Sequence, residues 1–137
     1  MILVLDTNIL LSALMVRGTP PGYLYEAWRQ GRFDLASSER QLDELHRVSR
    51  RPFFQERLKP SEMGRMLNDI RRLALMCDPL PHVARSPDPD DDYLLATAQA
   101  VAAHYLVTGD KSDLLALSSH LGTRIITARK MVQLLEK

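Results

Sequence analysis

Acidic side chains recur in widely separated stretches of the chain, and they are its best candidates for chemistry: Asp6, Glu44, the cluster Asp88, Asp90, Asp91 and Asp92, and the pair Asp110 and Asp113. Asp6 directly follows the apolar run Ile2 to Leu5, and Asp110 follows Tyr105 to Thr108 after a single glycine. If these runs are neighbouring strands of a parallel sheet, both carboxylates emerge at its carboxyl edge, where open α/β sheets bind their ligands. Carboxylates so close repel, and a shared divalent cation relieves that repulsion. With no histidine, cysteine or activated serine among them, the set favours the hard cations Mg²⁺ or Mn²⁺. Such an ion lowers the pKa of a bound water and stabilises a pentavalent phosphate, so phosphodiester hydrolysis is the reaction this composition suits best.

Two further acids have positions that elements must supply. In the stretch SPDPDDDYLLATA, the helix whose Leu94, Leu95 and Ala98 face the sheet carries Asp92 in its first turn, which makes Asp92 the expected ligand and Asp90 the expected N-cap. Glu44 stands six residues past Ser38, roughly 9 Å along a helix. There it lies between the apolar stripe of Leu42, Leu45 and Val48 and the basic stripe of Arg40, Arg47 and Arg51, and can lean toward a site. Each acid taken alone has a plainer explanation. Asp6 could cap the next helix, Glu44 could pair with Arg40 or Arg47, Asp88 to Asp92 could be a solvated loop, and Asp110 could complete a turn. Their joint occurrence favours a site.

The elements follow from periodicity and punctuation. Ile9 to Met15 and Tyr23 to Gln30 read as a helical hairpin broken by Thr19, Pro20, Pro21 and Gly22. Phe33 to Ala36 reads as a short strand, and Ser38 with Gln41 as a capping box opening a helix from Glu39 to about Arg50. A further helix is expected from Ser61 to about Met76, then a proline-rich loop over Asp78 to Pro89 with Leu80 to Val83 extended. Tyr93 to Ala103 reads as helix, Tyr105 to Thr108 as a buried strand, Ser112 to Leu121 as helix, Arg124 to Thr127 as the last strand and Ala128 to Glu136 as the last helix. Strands alternating with helices predict one α/β domain over residues 1–137, a three-layer α/β/α sandwich with a central parallel sheet.

At 137 residues the chain is long enough to bury a core without disulfides or a structural metal. Its formal charge of +1 does not advertise nucleic acid, so any such contact must come from local patches. One is the segment from Arg47 to Arg72, where Arg47, Arg50, Arg51, Arg57, Lys59, Arg65, Arg71 and Arg72 face only Glu56, Glu62 and Asp69. Phe53, Phe54 and Trp28 could add stacking faces. The lone Cys77 excludes an internal disulfide and a multi-cysteine zinc site, and the four histidines are too scattered for a ligand motif. The apolar start is too short for a signal peptide's core and no stretch approaches a membrane span, so a cytoplasmic location is expected.

The stretches LDTNILLSAL at Leu5 to Leu14, SSERQLDELHRV at Ser37 to Val48, DPDDDYLLATA at Asp88 to Ala98 and YLVTGDKSDLLAL at Tyr105 to Leu117 together resemble the PIN-domain ribonucleases, especially the toxins of bacterial toxin-antitoxin pairs. The resemblance implies that Asp6, Glu44, Asp92 and Asp110 hold Mg²⁺ or Mn²⁺ and activate water against single-stranded RNA. It also implies that Asn8 and Thr108 orient the acids. Ser112 stands as an extra residue before Asp113, which shifts that further ligand candidate from the family's commonest spacing. The implied partners are RNA, an inhibitory antitoxin protein and a second copy of the chain, as homodimer or higher oligomer, through helices near Ile9 to Gln30 and Ser61 to Met76. Two other functions compete. An aspartyl-phosphate phosphatase would want an acid where Asn8 stands and a lysine better placed than Lys111. A binding module of the same fold would use its acids only structurally.

Overall fold

In the computed structural model, which describes residues 1–109 and 113–137, six strands form one sheet in the order β3-β2-β1-β4-β6-β5. The strands are β1 (Ile2–Leu5), β2 (Asp34–Ser37), β3 (Leu75–Met76), β4 (Tyr105–Thr108), β5 (Ser119–His120) and β6 (Thr123–Thr127). All pairings are parallel except that of β5 with β6. The helices are α1 (Thr7–Met15), α2 (Pro20–Arg29), α3 (Glu39–Ser49), α4 (Pro52–Gln55), α5 (Pro60–Leu73), α6 (Asp92–Val101) and α7 (Ala128–Leu135). The expected three-layer α/β/α arrangement is the one observed, with a mixed rather than wholly parallel sheet.

Strand periodicity divides the core. Leu3, Leu5, Leu35, Val107 and Ile126 point to one face and pack with α1, α2, α3, α5 and α7. Val4, Ala36, Leu106 and Ile125 point to the other, where Leu94, Leu95 and Ala98 of α6 cover them. These inner strands are apolar on both sides because both faces are buried, as parallel sheets require.

Three elements depart from expectation. The helix expected to reach Met76 stops at Leu73, where Ala74 turns extended and Leu75 and Met76 add β3 to the sheet edge. Leu80 to Val83 joins no strand. From Asp113 onward the expected helix is only a single 3₁₀ turn at Leu115–Leu117, followed by β5, while Ser112 lies outside the described residues. Ser118 and Leu121 take left-handed backbone conformations that an α-helix cannot contain. The cap at Ser38 is half the expected box. Its hydroxyl accepts from the Gln41 amide N–H at 3.2 Å, but the Gln41 side chain leaves the helix and donates to the Leu5 carbonyl at 2.7 Å.

Leu95 is fully buried between α6 and the sheet. Truncating it leaves a cavity under the helix that carries the aspartate cluster. Leu95→Ala should lower unfolding free energy by about 2–5 kcal/mol, read from the urea midpoint at unchanged m-value.

Candidate active site

The strand order reverses direction between β1 and β4: β2 and β3 extend to one side of β1, and β4, β6 and β5 to the other. Crevices at such a switch point, beyond the carboxyl ends of the strands, are where α/β sheets place ligands. Asp6 occupies this one. Its backbone N–H donates to the Val107 carbonyl at 2.9 Å, which continues the β1–β4 ladder one residue past Leu5. Its carboxylate is buried and accepts from the Thr108 hydroxyl at 2.7 Å and the Asn8 backbone N–H at 3.1 Å. Asp6 thus caps α1, as the plainer reading held, and is gripped from β4 as well. Thr108 orients it through its side chain and Asn8 through its backbone. Burial raises the Asp6 pKa above the ordinary carboxylate range, and the nearby charge of Glu44 pushes the same way against the two hydrogen bonds.

Within the aspartate cluster, Asp91 is the acid whose pKa the charge of Asp6 helps to raise. Its pKa is pushed up to about 6, first by burial and then by the charges of Asp6, Asp88, Asp113 and Asp90. Among the described residues neither Asp6 nor Asp91 has a salt-bridge partner. Glu44 borders the same crevice, since its charge bears on both Asp6 and Tyr93, but its carboxylate accepts from Arg47 Nη2 at 2.7 and 2.8 Å. Asp113 is exposed, with its charge close enough to act on Asp91. Asp110, like Lys111, lies outside the described residues. Among the described residues, no three His, Cys, Asp or Glu side chains are drawn together tightly enough to hold one cation as they stand.

No curated protein matches the chain. A family model described as the PIN domain matches residues 2–112, a span that contains Asp6, Glu44, Asp91, Asp92 and Asp110 and ends just before Asp113. The chain belongs to the PIN-domain family. FitAcB from Neisseria gonorrhoeae has a similar fold, with a TM-score of 0.54 over 93% of this chain and 98% of that one at 14% sequence identity.

In this PIN domain Asp92, the expected ligand, serves the preceding loop. Its Oδ1 accepts from the Ser86 N–H at 2.7 Å and the Arg85 N–H at 3.1 Å. The Arg85 guanidinium in turn bonds the Ser119 carbonyl at 2.7 Å and His120 Nδ1 at 3.0 Å, and His120 Nε2 meets Gln99 Oε1. Asp92 and Gln99 therefore share a side of α6 that is tied through Arg85 and His120 to β5. The cap falls differently too: Asp88, not Asp90, accepts from a backbone N–H at the 3₁₀ turn Pro89–Asp91, and Asp90 supplies that N–H. The helical phase could have found Asp91, because Asp91, Leu94, Leu95 and Ala98 fall at i, i+3, i+4 and i+7, on the face that meets the sheet.

Tyr93 also belongs to the site, unmarked by any sequence signal. Its hydroxyl shares a 2.8 Å hydrogen bond with the Thr7 hydroxyl, and Arg40 lies over its ring, 5.2 Å from the centroid. Burial, with the charges of Asp6, Glu44 and Asp91 adding to it, raises its pKa and keeps the phenol un-ionised. Of the aromatics considered for stacking, Trp28 is buried and Phe54 half-buried, while Phe53 is exposed with Arg57 against its face.

The raised Asp91 pKa has a stability consequence. Between the ordinary carboxylate pKa and about 6 the folded chain retains a proton that the unfolded chain has lost, so this residue's contribution falls as pH rises through that window. Asp91→Asn should therefore be more stable than the wild type at pH 7.5 in metal-free buffer, by on the order of 1 kcal/mol after solvent screening. The two should converge near pH 4. Denaturant titrations at the two pH values measure the difference.

Proposed function

We propose that this PIN domain is a metal-dependent endoribonuclease that hydrolyses single-stranded RNA, with Asp6, Asp91, Glu44 and Asp110 as its central acids. Asp113 is a further ligand, and Asp91 stands in the place that the sequence resemblance gave to Asp92. One observation carries the reading: Asp91 lies beside the buried Asp6 at the sheet's switch point, with enough surrounding negative charge and burial to push its pKa to about 6. Membership of a family whose members are in general nucleases supports it.

The donor set fits a hard divalent cation, since every candidate is a carboxylate, and the charge of Glu44 helps to raise the pKa of Asp6 as those of Asp6 and Asp113 help to raise that of Asp91. When bound, Mg²⁺ or Mn²⁺ would supply an activated water and neutralise charge on the phosphate. The chain's own contribution is orientation. Thr108 and the Asn8 amide fix which Asp6 lone pairs face the crevice. The Thr7–Tyr93 hydrogen bond joins the start of α1 to the first turn of α6, so the elements bearing Asp6 and Asp91 keep their spacing. Arg40 and Arg47, exposed on α3 beside the acids, give the phosphates of an RNA strand a positive flank. In the cell the reading is that of a cytoplasmic toxin, held by an antitoxin protein and self-associating through the α1–α2 hairpin and α5.

Cleavage of a labelled single-stranded RNA with Mn²⁺ tests the assignment. Asp6→Asn and Asp91→Asn should each lower the rate by on the order of 100-fold or more, with circular dichroism unchanged. Asp92→Asn, which keeps an oxygen for the loop amides, should stay within a few-fold of wild type. The reverse ranking of Asp91 and Asp92 would reject the site as drawn, and no cleavage with any divalent ion would leave the binding module as the better account.

Relief of repulsion also stabilises. Mn²⁺ at about 100 times its Kd should add roughly 2.7 kcal/mol, or roughly 8 °C in Tm. Calorimetric scans with and without the ion measure this, and Asp91→Asn should remove most of the gain.

A further inference from the structure

Glu44 is the acid of the crevice that a cation already holds. Both of its carboxylate oxygens accept from Arg47 Nη2, at 2.7 and 2.8 Å, one helical turn away on α3. Among the described residues Arg47 is the only basic group ion-paired with any of Asp6, Glu44, Asp91 or Asp113. The two partners differ in freedom. The Glu44 side chain is one-quarter exposed and sits at the crevice wall, whereas that of Arg47 is 59% exposed and its stem can swing through water. The charge of Asp90 also acts on Arg47, which places the guanidinium at the rim of the aspartate cluster rather than out along the helix.

A carboxylate with both oxygens committed to a guanidinium has fewer lone pairs to offer a cation, and a guanidinium in that position adds repulsion against the incoming charge. The same planar fork, once released, matches a phosphate as well as it matches a carboxylate. We propose that Arg47 is a substrate-binding residue parked on Glu44: Glu44 exchanges the guanidinium for the divalent ion, and the freed Arg47 takes a phosphate of the RNA strand at the crevice rim. The inference rests on the metal-dependent reading of the site and adds an order of events to it. RNA affinity gains one phosphate contact only after the ion is bound, and the ion binds against a built-in competitor.

The test pairs two binding measurements on Arg47→Ala, with Arg51→Ala as a control that removes a charge nearby without touching Glu44. In calorimetric titration with Mn²⁺ alone, Arg47→Ala should bind about two- to fivefold more tightly than wild type, the scale of an exposed ion pair, while Arg51→Ala changes little. In fluorescence anisotropy with a labelled single-stranded RNA, recovered intact after each titration, the salt dependence of Kd should separate the states. With saturating Ca²⁺ the log–log slope of Arg47→Ala should be shallower than wild type by about 0.7, one phosphate on a single strand, and without divalent ion the slopes should coincide. Equal Mn²⁺ affinities, or a slope difference independent of the ion, would overturn the proposal while leaving the metal site standing. Failure of the wild type to bind Mn²⁺ at all would overturn both.

Discussion

A carboxylate is held almost out of water where two central strands end, and the architecture around it is arranged to make that tolerable. Asp6 is the first residue beyond β1, yet its amide still bonds to β4, so it cannot swing outward with the chain. Burial alone would drive such a group toward its neutral form. The Thr108 hydroxyl and the first free amides of α1 oppose this, because a helix start favours negative charge and a hydroxyl beside it can donate. The outcome is an acid of fixed orientation, set where its charge bears on Asp91 at the N-cap of α6.

Positions of the other groups follow from how their elements are tied to that point. Gln41 bonds the carbonyl of Leu5, the residue before Asp6, and receives the hydroxyl of Ser37 at 2.6 Å. It thereby pins α3 to the end of β1. Glu44 is the next turn of the same helix, so its distance from Asp6 is set by a buried hydrogen bond and not by the reach of a flexible side chain. On the opposite face, Asp92 draws the amides of Arg85 and Ser86 onto the first turn of α6, and Arg85 ties that turn to the β5 edge through Ser119 and His120. Burial, and then the charge of Arg85, lowers the His120 pKa, which keeps its Nδ1 free to accept. Asp92 thereby ties the loop at Arg85 and Ser86 to the start of α6, next to Asp91.

Most of this frame was legible in the residue pattern. The apolar runs at Ile2 to Leu5 and Tyr105 to Thr108 read as buried strands and are the neighbouring inner strands β1 and β4, so the residues that follow them share one edge. Helices with clear stripes, such as α3 and α7, fell where periodicity set them. What escaped was decided by tertiary context. Leu75 and Met76 continue the apolar pattern of α5, but they leave the helix to pair with Ala36 and Ser37 along the edge of β2. The residues before β6 have helical composition and are bent by the left-handed Ser118 and Leu121 into an antiparallel return. Asp91 and Asp92 differ by a single residue of phase. The sheet-facing leucines favour Asp91, whereas the helix start, whose position is the less certain quantity, favours Asp92.

The outermost strands, β3 and β5, are each just two residues long, and β5 runs against the sheet's direction. An incoming strand finds almost no backbone ladder to extend at either flank, which guards the sheet against open-ended stacking. Recognition of another polypeptide by this molecule is thereby confined to its helical surfaces and loops, where side-chain chemistry, rather than main-chain pairing, decides which chains can attach.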